Sequence, residues 1–323
     1  MGSRGAKEGP AATNRPPPIV FNLSDQLSQG GEATPVGKLA FPLRIVAFNA
    51  QGGKPLDAIV RRLSQPPLAG AGIILLCEAG WRSRMSAGLE FARDLGEKLG
   101  MSSAYVPEYG IVDGGRDYIR SIGNAILAKC PLENVRSVPI VHFPRPRRAH
   151  LRGQSQGLLA TVRCGGVDLT VGVVHLDSRV DPGRRNRQMT DFMNAIPVEG
   201  PVVIGGDLNT TTVGLTGSGA VLQAALQIIA APRRLRAPQP YEPLFKTIAD
   251  HGFILDDANL PGASTFAVSG LIPRAIRPKL DWIAMRGMRA VSGSAAVVSA
   301  RGEGLIGRRF SDHDLIVCDV IVG

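Results

Sequence analysis

Seven short polar motifs, each at the end of an apolar run, carry the residues of this chain that could do chemistry. In chain order they are Phe48-Asn49, Cys77-Glu78, Gly123-Asn124-Ala125, His175-Leu176-Asp177, Gly206-Asp207-Leu208-Asn209, Leu280-Asp281-Trp282 and Ser311-Asp312-His313. Together they bring carboxamides, carboxylates and two imidazoles to strand ends, the groups that metal-assisted phosphate-ester hydrolysis requires. Glu78 follows a continuous apolar run, so its carboxylate emerges at the C-terminal end of a strand buried on both faces. With Asn49, at the end of a neighbouring strand, it makes an oxygen seat for Mg²⁺ or Mn²⁺, hard cations that keep several waters and need few protein ligands. Asp207 and Asn209 lie two apart and point the same way in an extended segment. The carboxylate can orient or deprotonate water while the amide holds a phosphate oxygen or the nucleophile. Taken alone the same stretch is an ordinary turn signature; the other motifs tip it toward chemistry.

Asp281 can accept a proton from one nitrogen of His313, fixing its tautomer and raising its basicity. The protonated ring would then stabilise charge on phosphoryl oxygens. His175 can bind a phosphate oxygen or protonate the leaving group. Asn124 is expected to support the site through hydrogen bonds. Arg185 and Gln188, on the helix after His175, brace the site, meet substrate or lie on a solvated face. Arg274, Arg277 and Lys279, just before Asp281, form a candidate loop near the substrate phosphate. The glycines of the 214–219 segment imitate a phosphate-cradling loop but lack the following Lys and a preceding buried strand.

The elements that must position these groups alternate early and cluster late. Strands are expected at 43–48, 73–77, 122–128, 135–142, 157–163, 168–175 and 202–204, then at 262–267, 280–285, 290–299 and 314–321. Helices are expected at 55–63, at 83–99 with Ser83 as N-cap and Gly100 as terminator, at 183–196 and at 219–230. Two sheets packed face to face with helices outside accommodate this order. Residues 1–40, rich in Pro, Gly and Ser, are expected to form a flexible tail with a short ordered patch at 19–21, and 41–323 a single catalytic domain.

The chain has 323 residues, 44% of them hydrophobic, and a formal net charge of +10. Between 140 and 190 stand nine arginines (145, 147, 148, 152, 163, 179, 184, 185, 187) against three aspartates (168, 177, 181). Such clustering suits nucleic acid, an anionic membrane surface or a multiply phosphorylated small molecule; a solvated basic face is the plain alternative. Aromatics at 5% give no evident stacking platform. The four cysteines, Cys77, Cys130, Cys164 and Cys318, have no metal-knuckle or redox-pair spacing. No apolar run reaches the roughly 18 residues of a bilayer span, and the first residues do not resemble a secretory signal. A monomer in the cytoplasm is the expectation.

Taken in order, the motifs resemble the endonuclease/exonuclease/phosphatase superfamily, with the DNase I-like fold, over residues 42 to 322. The resemblance implies a four-layer α/β/β/α sandwich and a divalent-metal phosphoesterase. By motif it makes Asn49 and Glu78 metal ligands, with Asp312 supporting the metal or nucleophile side. It makes Asp207 the water-positioning base, puts Asn209 on the phosphate, has Asp281 orient His313, and joins His175 to His313 in stabilising the transition state. Cys77 stands where the family usually has Gln. His175 in a His-Leu-Asp segment is similar to DNase I-like nucleases, bacterial sphingomyelinases and inositol-phosphate phosphatases, whereas the abasic-site branch carries Tyr there. Hydrolysis of nucleic acid is the leading expectation. Cleavage of a phospholipid headgroup or phosphorylated small molecule follows, and a catalytically silent binding module comes last because every motif position is filled.

Overall fold

The computed structural model describes residues 28–30, 38–53, 55–80, 88–112, 119–143, 151–214, 219–267, 277–302 and 308–323. Its elements in chain order are β1 (Ser28–Gly30), β2 (Leu43–Asn49), α1 (Leu56–Leu63), β3 (Ile73–Ala79), α2 (Gly88–Leu99), β4 (Ser102–Val112), β5 (Ile119–Ala128), β6 (Glu133–Pro139), β7 (Leu151–Gly153), β8 (Gln156–Cys164) and β9 (Val167–Val173). There follow α3 (Pro182–Asn194), β10 (Val202–Asp207), α4 (Ala220–Ala230), α5 (Leu244–Asp250), β11 (Asp281–Arg286), β12 (Met288–Ala290), β13 (Ala296–Val298) and β14 (Leu315–Val322).

The continuous apolar runs become strands because both of their faces are covered. In β2, Leu43, Ile45 and Ala47 face one core while Val46 and Phe48 face another; β3 divides the same way, with Ile73, Leu75 and Cys77 opposite Ile74 and Leu76. The first core lies between two sheets, where those residues meet Leu158 and Ala160 of β8, Val171 and Val173 of β9 and Val203 of β10. The second core packs α1 and α2 on the outside of one sheet, through Ile59, Leu63, Ala92 and Leu95. A third packs α3 and α5 on the outside of the other, through Met189, Phe192, Leu244 and Ile248. The result is the expected α/β/β/α sandwich, each fully buried aliphatic side chain contributing about 1.5–3 kcal/mol.

The first sheet runs β1-β4-β5-β3-β2-β14-β12, with β13 beside β14 and β7 beside β4; the second runs β11-β10-β9-β8-β6. Both are mixed. β2 and β3 are parallel, with Asn49 opposite Cys77, and β9 and β10 are parallel. β10 and β11 are antiparallel, with Asp207 directly opposite Asp281. Register thus places Asn49 beside Glu78 in one sheet and Asp207 beside Asp281 in the other, and the hydrogen bond from Asn49 to Asp207 brings the two pairs to one end.

Several expectations change. The predicted strand at 262–267 is a loop whose only strand-like pairing among the described residues is an isolated bridge from Phe266 to His313. The predicted strand at 290–299 is split into β12 and β13 by a turn at Gly293, whose φ is +75°. β4 and α5 were not expected. The helix start at Ser83 and the patch at 19–21 lie outside the described residues, as does most of the expected tail. Two pieces of that tail belong to the fold: β1 pairs with β4, and Leu39 is buried in a bridge to Cys164. No helix among the described residues is long and apolar enough to cross a membrane.

Candidate active site

Asp207 is the hub. Its Oδ1 accepts the backbone N–H of Asn209 at 2.9 Å, and its Oδ2 accepts Nδ2 of Asn49 at 2.9 Å. The same Oδ2 lies 3.7 Å from Nε2 of His175 and 3.6 Å from Nε2 of His313. Each imidazole has a second carboxylate behind it. His313 Nδ1 meets Asp281 Oδ2 at 2.8 Å, and His175 Nδ1 lies 3.4 Å from Glu108 Oε2. His175 Nε2 also lies 3.9 Å from Glu78 Oε1, and His313 Nε2 lies 4.0 Å from Asp312 Oδ1. Glu78, Asp207 and His313, distant in sequence, therefore share one neighbourhood.

Local backbone choices create this convergence. Gly206, at φ +140°, has no room for a side chain, because a Cβ would sit 2.2 Å from the Val174 carbonyl. That close approach draws the end of β10 against the segment carrying His175. Leu176 N–H then bonds to the Asp207 carbonyl, and Asn209 Nδ2 to the Leu176 carbonyl. Glu78 sits at φ +50° in a break of register between β3 and β5, a bulge that turns a side chain out of the sheet. Gln51 and Asn209 are also at positive φ, so unusual backbone conformations gather around the site, where strain often accompanies function. Ser311 Oγ donates to the Asn49 carbonyl and accepts the His313 N–H, fastening the last motif to the first. Thr265 Oγ1 accepts the N–H groups of both Leu280 and Asp281, and the Phe266 ring packs edge-on against His313.

Burial sets the protonation. It is the largest influence on Asp207, whose pKa rises to about 6 against the opposing pull of His313 and His175. That leaves a carboxylate ionised at neutral pH and more basic than usual. Burial alone would lower both imidazoles, but the surrounding carboxylates reverse this. His175, beside Glu108, Asp207 and Glu78, and His313, beside Asp281 and Asp207, are each held at about 10. Both are cations at neutral pH. The Cys77 thiol, which contacts the Val174 carbonyl and the Asp207 N–H, is pushed well up by burial and stays protonated.

Five carboxylates (Glu78, Glu108, Asp207, Asp281, Asp312) face two imidazoles here, an excess of negative charge that suits a divalent cation. Asp207, Asp281 and His313 offer ligand atoms within 4.8 Å of one another, yet that closeness is accounted for by the His313–Asp281 bond and the Asp207 contact. Glu78 and Asp312 are the open groups, with side chains 30% and 35% exposed, and Glu78 is close enough to raise the Asp312 pKa. Asn49 is buried beside them; its Oδ1 already accepts the Gln51 N–H and retains one lone pair. These three fit a hard cation with oxygen ligands and waters.

The remaining expected residues stand around this cluster. Arg185 neither meets substrate nor faces solvent. It is fully buried, pairs with Glu242 at 2.6 Å and bonds to the Val180 carbonyl. Its position one turn before Met189 puts it on the inward face of α3. Gln188 is buried too: its Oε1 accepts the Asp177 N–H and its Nε2 donates to the Val141 carbonyl. Asn124 donates to the Gln156 carbonyl, while its buried Oδ1 has no partner among the described residues. Lys279 is buried over the Trp282 ring with Nζ on the Leu260 carbonyl, so it is not part of a substrate loop; Arg274 lies outside the described residues. Of the Arg-rich stretch, Arg163 pairs with Asp168, Arg184 with Asp181 and Arg185 with Glu242; of these partners only Glu242 lies outside the stretch. Arg145, Arg147 and Arg148 are not among the described residues. Most of 214–219 also falls outside them.

The sequence reading missed Glu108. It is the bulged residue of β4, where the register with β5 shifts between Pro107 and Tyr109. A Cβ on Gly123 would sit 1.9 Å from the Val106 carbonyl, so the Gly123-Asn124 motif is also what admits this bulge. The available signal was one acidic residue in a β-rich stretch beside Pro107.

The family model described as Endonuclease/Exonuclease/phosphatase family matches residues 46–313. No curated protein sequence matches the chain. Among solved structures, an endonuclease/exonuclease/phosphatase from Beutenbergia cavernae DSM 12333 is similar at TM-score 0.57 and 18% identity, over 87% of this chain and 72% of that one. The human Nocturnin catalytic domain with bound sulfate anion is similar at TM-score 0.56 and 16% identity, over 96% and 100%. A variant of the 3' phosphatase NExo from Neisseria, bound to a product DNA hairpin, is similar at TM-score 0.50 and 15% identity, over 86% and 98%.

Proposed function

Because the chain belongs to the endonuclease/exonuclease/phosphatase family and is a phosphoric ester hydrolase, we propose that it is a divalent-metal-dependent phosphodiesterase acting on nucleic acid. The observation that carries this reading is the Asp207 hub, one carboxylate oxygen within 3.7 Å of two imidazole nitrogens from separate motifs. In this reading Asp207 takes the proton of the attacking water, held in place by Asn49 and the Asn209 N–H. His175 and His313, both cationic, bind the phosphoryl oxygens as their charge grows, and either can give its Nε2 proton to the leaving oxygen. Asp281 and Glu108 keep those rings charged and aimed. Glu78, Asp312 and Asn49 would hold the cation, which when bound supplies charge to polarise the phosphoryl group. Asn209 spends one amide hydrogen on the Leu176 carbonyl, leaving the other for a phosphate oxygen.

Net charge supports a polyanionic substrate, as does the DNA bound by the Neisseria 3' phosphatase of similar fold. Purified protein with Mg²⁺ or Mn²⁺ should hydrolyse plasmid DNA, single-stranded DNA or RNA and lose that activity in EDTA. Turnover confined to sphingomyelin or inositol phosphates would replace the nucleic-acid assignment, and undiminished turnover in EDTA would remove the metal from it. Glu108 makes a separate prediction. Glu108→Gln should lower kcat by about 10- to 100-fold, the order found when the carboxylate behind a metal-bound histidine is lost. In a His175→Ala background the same change should have little effect. Equal losses in both backgrounds would mean that Glu108 does not act through His175.

A further inference from the structure

The segment between the Asp207 motif and Asp281 carries an apolar face that the catalytic site does not use. α4, Ala-Val-Leu-Gln-Ala-Ala-Leu-Gln-Ile-Ile-Ala, contains no charged residue. Leu222, Leu226 and Ile229, spaced four and three apart, share one face, and they are 66%, 58% and 75% exposed. Of the nine large hydrophobic residues exposed among those described, Tyr241 and Leu260 join these three in the same region. A short 3-10 turn, Pro232–Leu235, follows at once and supplies Arg233 and Arg234, with Arg236 next. From Leu208 to Tyr241 the sequence has no Asp or Glu. The segment is tied to the active-site end of the sandwich. The Leu235 carbonyl accepts the Lys279 N–H at 2.8 Å, two residues before Asp281. Lys279 Nζ binds the Leu260 carbonyl and Arg236 Nε the Gly262 carbonyl.

We propose that α4 and the arginines after it dock this protein on an anionic lipid bilayer. The uncharged helix would lay Leu222, Leu226 and Ile229 into the boundary between headgroups and acyl chains, while Arg233 and Arg236 meet lipid phosphates. Charge decides between this occupant and the others. A second copy of the chain, related by a two-fold axis, would bring its own Arg233, Arg234 and Arg236 to the same interface, like charge against like charge. A nucleic acid would use the arginines, but leucine and isoleucine offer its bases no stacking surface. Aliphatic face and cationic edge together fit a bilayer. Docked this way, the rim of the catalytic site would lie at the membrane surface. The docking does not depend on which ester is cleaved.

The test is flotation of the full-length protein with vesicles of phosphatidylcholine alone and of phosphatidylcholine mixed with phosphatidylglycerol. Wild type should float with the mixed vesicles. The Leu222→Ser/Leu226→Ser/Ile229→Ser variant should lose at least about tenfold in vesicle affinity. Arg233→Gln/Arg236→Gln should lose the preference for anionic lipid. Neither change touches the buried core, so hydrolysis of a soluble phosphodiester should persist. If the triple variant proves unfolded, Ile229→Ser alone should still weaken flotation. The proposal is overturned if wild type floats with neither vesicle or if the serine variants float as well as wild type. A wild-type dimer that the triple variant converts to monomer would assign the face to a second copy instead. Loss of DNA binding with unchanged flotation would assign it to nucleic acid.

Discussion

Asp207→Asn should reduce kcat by about three orders of magnitude, within the range that a positioned general base contributes, while the protein melts as a folded domain. The substitution keeps the shape of the side chain and can keep Oδ1 as acceptor for the Asn209 N–H. What changes is the other atom. Oδ2 now accepts from Asn49 and faces Nε2 of both imidazoles; an amide nitrogen there would put a donor against three donors and could not take a proton from water. His313→Ala should cost a comparable factor by removing the charge that faces the phosphoryl oxygens. The double variant should be little slower than either single one, because groups that act as a unit do not contribute additively. Steady-state kinetics beside thermal melts decide it. Full activity in folded Asp207→Asn protein would remove Asp207 from the chemistry, and with it the reading built around this hub.

The sequence exposed that hub because its motifs end β2, β3 and β10, strands buried on both faces and therefore written as unbroken apolar runs. Once Ile73 to Cys77 is recognised as a strand parallel to β2, Asn49 and Glu78 must emerge at the same end of their sheet; the Asn49–Asp207 hydrogen bond joins the end of β10 to them. β4 gave no such warning. Pro107, Glu108 and Gly110 interrupt it, and a strand interior normally excludes all three residue types. Its bulge nevertheless carries the carboxylate behind His175. α5 is only seven residues long, too short for helical periodicity to stand out. In the 262–267 stretch only Thr265 and Phe266 favour strands, and Thr265 spends its hydroxyl on two backbone N–H groups instead of joining a ladder. The basic stretch was partly legible. The count of 140–190 already included Asp168 and Asp181, the partners of Arg163 and Arg184, but not Glu242, the partner of Arg185. In α3 the inward positions 185, 188, 189, 192 and 193 follow helical spacing, so the burial of Arg185 and Gln188 was legible in the pattern and hidden by their polarity.

That buried arginine carries the largest predicted effect on stability. Arg185 Nη2 and Nε bind the two oxygens of Glu242, and Nη1 binds the Val180 carbonyl. Glu242 Oε1 also accepts the Thr212 N–H. One ion pair thus ties the loop after the His175 motif to the loop after Asn209. Arg185→Ala should destabilise the fold by about 3–5 kcal/mol, because it leaves the Glu242 carboxylate buried without its counter-charge. For a domain of this size that is a fall in Tm of roughly 6–15 °C. Arg185→Met/Glu242→Leu should cost less than Arg185→Ala alone, since no buried charge is stranded. The pH dependence follows from the direction in which Glu242 moves. Burial already raises its carboxyl against the pull of Arg185, and removing Arg185 raises it further. A carboxyl raised above its unfolded value favours the fold at low pH and loses that advantage as pH climbs through the folded value. The gap in Tm between wild type and Arg185→Ala should therefore be smallest below about pH 4, where the unfolded carboxyl is itself protonated, and should widen toward neutrality. A gap that stays constant from acid to neutral pH would mean that lost packing, rather than a stranded charge, destabilises the variant.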